Sequence, residues 1–165
     1  MHLTLSEEQL QKQIHYFAYY QLAGGMLITC LIILSLAGVQ SLSGLTFLMH
    51  AGFLGLGGFA TYCGYLCLKQ PGKGLRLSRV SLAIQFLGFA IGAISFRFFA
   101  VPFLAISIDL TDAILFKVDF SLAEFSFKLN SSSDRILLSV NVVAMLLFFR
   151  TTLWLNEWRT RYSSE

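Results

Sequence analysis

Cys63 and Cys67 stand four residues apart, which places two thiols on one face of a helix, and His50 lies about three turns before them in the same apolar segment. Thiolate and imidazole are ligands for zinc and haem, but a closed site needs four donors, and Cys30 is the one other cysteine. His15 and His50 would have to clasp a haem from opposite ends of the fold. The cysteines therefore read as small packing residues, and His50 as a hydrogen-bonding partner for a neighbouring helix. A second group of chemically capable side chains, Asp109, Asp112, Asp119 and Glu124, falls in one later segment. Strand alternation would align some of them for a cation, yet Lys117 and Lys128 are interspersed and point to a solvated face. Neither group completes a catalytic or ligand-binding constellation, so no enzyme, cofactor or metal is expected.

The elements that carry these residues are set by charge. Residues 13–68 contain no Asp, Glu, Lys or Arg. A water-soluble domain would expose part of so long a stretch and solvate it with charge. One membrane crossing needs about twenty mostly apolar residues, so the run holds two crossings and a turn. Charged residues make up 13% of the chain, half the usual share of a soluble domain, which supports the same assignment. A nucleic-acid partner would require a basic stripe with exposed aromatics on a soluble face, and none is present. A cleavable leader is not expected, because the first strong apolar run starts only near Leu22.

Ser6 with Gln9 three residues on forms a capping box, and Leu10, Ile14 and Phe17 follow at helical spacing. Residues 6–20 thus predict an interfacial amphipathic helix leading into the first crossing, with Tyr16, Tyr19 and Tyr20 as an aromatic belt. The expected fold is an all-α integral membrane bundle of four transmembrane helices, at about 22–39, 45–68, 80–99 and 136–155. A small antiparallel β element at about 105–131 sits between helices 3 and 4, within an outer-face segment 103–135. Lys12, Lys69, Lys73, Arg76, Arg79, Arg150, Arg159 and Arg161 then share one side, against Arg97, Lys117, Lys128 and Arg135 on the other. The positive-inside rule puts both termini in the cytoplasm, with the bacterial inner membrane as the expected location. Arg150 is expected to reach the headgroups by snorkelling.

The β element is argued from period two. From Ile114 to Leu122 the even positions are apolar, and after a slip at Ala123-Glu124 the odd positions Phe125, Phe127 and Leu129 take over. An earlier strand fits 105–110. The apolar face so formed (Phe116, Val118, Phe120, Phe125, Phe127) must lie on something. The choices are its own bundle, lipid, or the same strands of another subunit.

Small residues form stripes at helical spacing. Ser81, Gln85, Gly88, Gly92 and Ser95 mark one. Gly57, Thr61 and Gly64 mark a second, and Gly55 and Gly58 belong to a third. Such stripes let backbones approach closely in lipid, so they are expected packing or oligomer interfaces. The function expected is that of a non-enzymatic membrane component acting by assembly, a homo-oligomeric scaffold or an accessory subunit among other membrane subunits, with lipid as partner and no nucleic acid. The alternative is a homo-oligomeric pore lined by Ser81, Gln85, Ser95 and Arg97.

Overall fold

A computed structural model of the chain describes residues 6–38, 43–91, 94–100, 102–111, 114–129 and 136–162. The elements run α1 (Glu7–Ala37), α2 (Gly44–Lys69), α3 (Pro71–Phe86), β1 (Leu87–Ile91), β2 (Ile94–Phe99), β3 (Phe103–Asp109), β4 (Leu115–Ser121), β5 (Glu124–Leu129), β6 (Ile136–Asn141) and α4 (Val142–Tyr162). The capping box forms: the Ser6 side chain accepts from the Gln9 amide, and the Gln9 side chain from the Ser6 amide. From there α1 is continuous. Its stripe Leu10, Ile14 and Phe17 is buried with Leu75, Leu82, Trp154 and Leu155 of α3 and α4.

An all-α four-span bundle is not what the chain forms. Helices occupy only part of the last two expected crossings, and the strands make one six-stranded antiparallel curled sheet in the order β4-β3-β6-β1-β2-β5. Residues 80–99 begin as the end of α3 and continue without a loop into β1, which pairs with β2 through Phe89↔Phe96 and Ile91↔Ile94. Residues 136–155 begin as β6, central in the sheet between β1 and β3, and only then become α4. The physical reason is visible at Ile94-Ser95-Phe96-Arg97-Phe98. These residues alternate apolar and polar, which suits a pleated sheet and would scatter apolar groups around a helix. Among the described residues, α1 and α2 are the two helices long and apolar enough to cross a membrane, by length and composition only.

The α1–α2 hairpin runs the length of the molecule and meets two different partners. The first half of α1 and the second half of α2 pack with α3 and α4 around Leu10, Ile14, Phe17, Cys67, Leu75, Leu82 and Trp154. The second half of α1 and the first two thirds of α2 pack instead on the sheet, where Ile28, Ile32, Phe53 and Ala60 cluster with Phe96, Phe98 and Phe125. Glycines permit the close approach of α1 and α2. A Cβ on Gly25 would stand 2.5 Å from the Thr61 amide, on Gly57 2.6 Å from the Thr29 hydroxyl, and on Gly64 2.7 Å from the Leu22 amide.

Candidate functional site

The strand registers sort the sheet into two faces of opposite chemistry. Pairing aligns Gly88 with Ser139, Ser139 with Ser107, Ser107 with Lys117, Ala105 with Asp119, and Arg97 with Ser126. Residues at these positions and two along from them form the inner, concave face. The outer face carries Leu87, Phe89, Ile91, Ile94, Phe96, Phe98, Leu104, Ile106, Ile108, Phe116, Val118, Phe120, Phe125, Ile136, Leu138 and Val140. No charged side chain stands on it among the described residues. Polar inside and apolar outside is the reverse of a soluble barrel and the arrangement of a membrane barrel.

Arg97 is the centre of the inner face. Its guanidinium pairs with Glu124 of β5 at 3.2 Å, approaches Asp119 of β4 at 4.0 Å, and donates to the Ser139 hydroxyl of β6 at 3.1 Å. One side chain on β2 therefore reaches both edges and the middle of the sheet, which requires the sheet to curl around it. Gly88 leaves the room, since a Cβ there would lie 3.0 Å from Arg97 Cγ. Ser139 and Ser107 share a further hydrogen bond at 2.8 Å. Nearer the rim, Lys117 pairs with Asp109 at 2.8 Å, and Asp109 also accepts from the Thr111 hydroxyl. The Arg97 side chain is 19% exposed, so the pairing with two carboxylates keeps a nearly enclosed charge neutralised.

The end of the sheet nearest the helices is stoppered. Phe99 and Phe103 are fully buried there with ring centroids 4.5 Å apart. Beneath them the Gln85 carbonyl oxygen accepts from the Ala100 amide at 3.0 Å while its NH2 donates to Ser81 at 3.2 Å. Asn141 caps the start of α4 by accepting from the Ala144 amide at 3.1 Å.

The expected pore lining is thus divided by the Phe99–Phe103 stopper. Ser81 and Gln85 are buried below it and hydrogen-bonded, whereas Ser95 and Arg97 lie on the inner face above it. Of the small-residue stripes, Gly57, Thr61 and Gly64 face α1, and Gly55 and Gly58 have open space where a Cβ would be. Gly88 is in β1, and Gly92 lies outside the described residues. Among the outer-face residues, Phe125 packs on Phe53 with centroids 5.5 Å apart, while Phe116, Val118 and Phe120 are 72%, 67% and 73% exposed. Phe127 pairs with Phe96 in the backbone register, and its side chain lies outside the description.

The remaining chemically capable residues sit apart from this face. His50 donates from Nδ1 to the Thr46 carbonyl at 2.8 Å and meets Phe125 edge-on. Cys63 and Cys67 are buried, and Cys67 contacts the Ser78 hydroxyl at 3.4 Å, which in turn donates to Gln21 at 2.7 Å. Among the described residues no three His, Cys, Asp or Glu side chains group as metal ligands do. Of the inner-face partners of Arg97, the acids Asp119 and Glu124 stood in the acidic group noted in the sequence, as candidates for a cation and not for an arginine, whereas Ser139 and its own partner Ser107 were not singled out. Alternation through β2, β3 and β6 was the available signal. No family model, curated protein or solved structure matches the chain.

Proposed function

We propose that the chain is a non-enzymatic membrane protein acting by assembly, with its sheet set in the outer half of the bilayer. The observation that carries this is the inverted sheet, whose outer face is apolar and whose charges turn inward onto one another. Lengths agree. From Tyr16 to Ala37, α1 offers an uncharged rise of about 33 Å, against a hydrocarbon core of about 30 Å. From Val80 through β1 the chain rises about 27 Å without a charge, and from Ile136 to Phe149 about 32 Å, counted partly as helix and partly as strand. Strands of five to seven residues are too short to cross alone, so helix below and strand above together make each of these two passages.

The basic residues support one orientation. Lys12, Lys69, Lys73, Arg76, Arg79, Arg150, Arg159 and Arg161 all lie toward the helical end, where Tyr162 of α4 donates to Glu7 of α1. That end faces the cytoplasm by the positive-inside rule, and the bacterial inner membrane suits this topology. At the same level Arg150 donates to Gln13 and stands over the Trp154 ring. Conduction through a single subunit finds less support, because Phe99 and Phe103 fill the axis of the sheet. An assembly role is supported by two strand edges that have no strand partner among the described residues and by the open glycine face at Gly55 and Gly58. The test is extraction: the chain should stay with membranes in alkaline carbonate and emerge in nanodiscs as a particle holding more than one copy or further subunits. A monodisperse monomer in detergent-free buffer would contradict the proposal.

A further inference from the structure

We infer that the groove between α1 and α4 holds an anionic phospholipid of the cytoplasmic leaflet, with an acyl chain along the two helices and the phosphate on Arg150. The inference rests on the membrane reading, which sets the helical end of the molecule at that leaflet.

Two helical stripes build the groove. On α1, Gln13, Tyr16 or Phe17, and Tyr20 recur once per turn, and on α4 Val143, Leu147, Arg150 and Trp154 do the same. Tyr16, Phe17, Tyr20, Val143, Leu147 and Trp154 line a volume of about 370 Å³, and its walls are almost wholly apolar. From Gln13 to Tyr20 the groove runs about 10 Å along the helix axis. It ends where the Tyr20 hydroxyl donates to the Pro102 carbonyl at 3.0 Å. A transmembrane helix is a poor occupant for such a slot. Close packing of helices in lipid uses small residues, and these walls are rings and branched side chains. The open glycines Gly55 and Gly58 lie on α2 instead. A flexible acyl chain fills an irregular apolar slot that a helix cannot enter.

Charge at the mouth selects the headgroup. The Gln13 side-chain oxygen accepts from Trp154 Nε1 at 3.0 Å and from the Arg150 guanidinium at 3.1 Å. That guanidinium also stands 5.7 Å from the centre of the Trp154 ring. These contacts hold the arginine at the mouth and neutralise none of its charge. Among the described residues no carboxylate pairs with Arg150, whereas Arg97 and Arg161 pair with Glu124 and Glu157. Its remaining N–H donors form a planar fork that matches a phosphate. Lys12, one turn before Tyr16 on α1, adds a second positive charge on this side. Basic pockets between membrane helices on the cytoplasmic side take anionic headgroups on the same grounds.

The test is quenching of Trp154 by lipids brominated along the acyl chain, using the full chain in nanodiscs. Trp158→Phe leaves Trp154 as the one tryptophan. In phosphatidylcholine discs, brominated phosphatidylglycerol should half-quench Trp154 at a mole fraction about fivefold lower than brominated phosphatidylcholine, as one basic residue near an anionic lipid provides. Arg150→Gln should abolish that difference, with the thermal midpoint in unbrominated phosphatidylcholine nearly unchanged. Lys69→Gln, which removes an exposed cation at the end of α2, should leave the difference intact. Leu147→Phe, which keeps Arg150 and fills the groove, should weaken quenching by both lipids. A preference lost as fully in Lys69→Gln as in Arg150→Gln would show a diffuse surface attraction and overturns the inference. Absence of quenching by either lipid would show protein covering the groove and overturns it too. Carbonate extraction separates the remaining failures. A chain released by carbonate overturns the membrane reading itself. A chain retained in membranes but quenched equally by the two lipids overturns the lipid site alone.

Discussion

Along one side of the α1–α2 hairpin, Leu10, Ile14, Phe17, Leu75, Leu82, Trp154 and Leu155 close around an apolar centre. Along the other, Arg97, Asp119, Glu124, Ser107 and Ser139 fill the centre of the sheet, and the apolar residues look outward. The helical half resembles the inside of any packed protein, with one small polar cluster at Gln21, Ser78 and Cys67. The sheet half is inverted. The difference teaches where the chain can afford charge. Helices satisfy their own backbone and need only packing, whereas a curled sheet encloses an interior that can hold ion pairs away from lipid. The shared hairpin ties the two halves together, and Gly57 and Gly64 of α2 meet α1 closely, as Gly25 of α1 meets α2.

The comparison is broken most directly at Arg97. Arg97→Ala leaves the Glu124 and Asp119 carboxylates without their cation and removes the charge-assisted hydrogen bonds to Glu124 and Ser139 together. A large loss of thermal stability in nanodiscs is expected, while an unchanged midpoint would show that the curl does not depend on the pair. Next in size is a charge placed on each face of the sheet. Leu138→Lys on the outer face should cost about 2–4 kcal/mol if that face meets lipid near mid-bilayer, and Ser95→Lys on the inner face should cost little. Equal effects in a denaturation series would remove the distinction between the faces.

A smaller effect separates the two glycine stripes of α2. Gly64→Leu forces a side chain into the α1 backbone and should destabilise by at least the about 1–3 kcal/mol typical of overpacking. Gly55→Leu meets open space and should leave monomer stability unchanged. The reverse ranking in thermal unfolding would contradict the α1–α2 contact.

The smallest effect lies at the helical end. The hydrogen bond to Glu7 holds the Tyr162 proton, raising its pKa above the ordinary tyrosine value. Stability from this contact is present below about pH 10, the ordinary phenol range, and is lost as pH rises through the higher folded value. Tyr162→Phe should remove that alkaline component and leave neutral behaviour nearly intact, as read from unfolding midpoints across pH. A flat difference between the two proteins up to strong alkali would remove Tyr162 from the account.

Much of α1 and α2 was legible in residues 13–68, because an uncharged run of that length admits few arrangements. The capping box at Ser6 and the Gly57, Thr61, Gly64 face were legible for the same kind of reason, a fixed spacing with one physical use. β4 and β5 were also legible, through alternation at 114–122 and 125–129. The strands β1, β2 and β6 were not. Their apolar content is high enough to pass as membrane helix, and Gly88-x-x-x-Gly92 fits a helix-packing stripe as well as it fits a strand. Hydropathy averaged over twenty residues hides the one decisive feature, that Ser95, Arg97, Ser139 and Asn141 fall on alternate positions. Arg97, Asp119 and Glu124 were each noted in the sequence, but their meeting was missed with those strands. Arg97 lies 27 residues before Glu124, and it meets Asp119 and Glu124 on opposite edge strands only because the sheet curls.

The central claim is that the outer face of the sheet lies in lipid and the inner face does not. A nitroxide scan of β4 from residue 115 to 121 in nanodiscs tests it most directly, with collision rates measured for oxygen and for a water-soluble nickel chelate. The account predicts period-two alternation, with oxygen contact highest at 116, 118 and 120 and nickel contact highest at 117, 119 and 121. Strong nickel contact at 116, 118 and 120 would place that face in water and contradict the account.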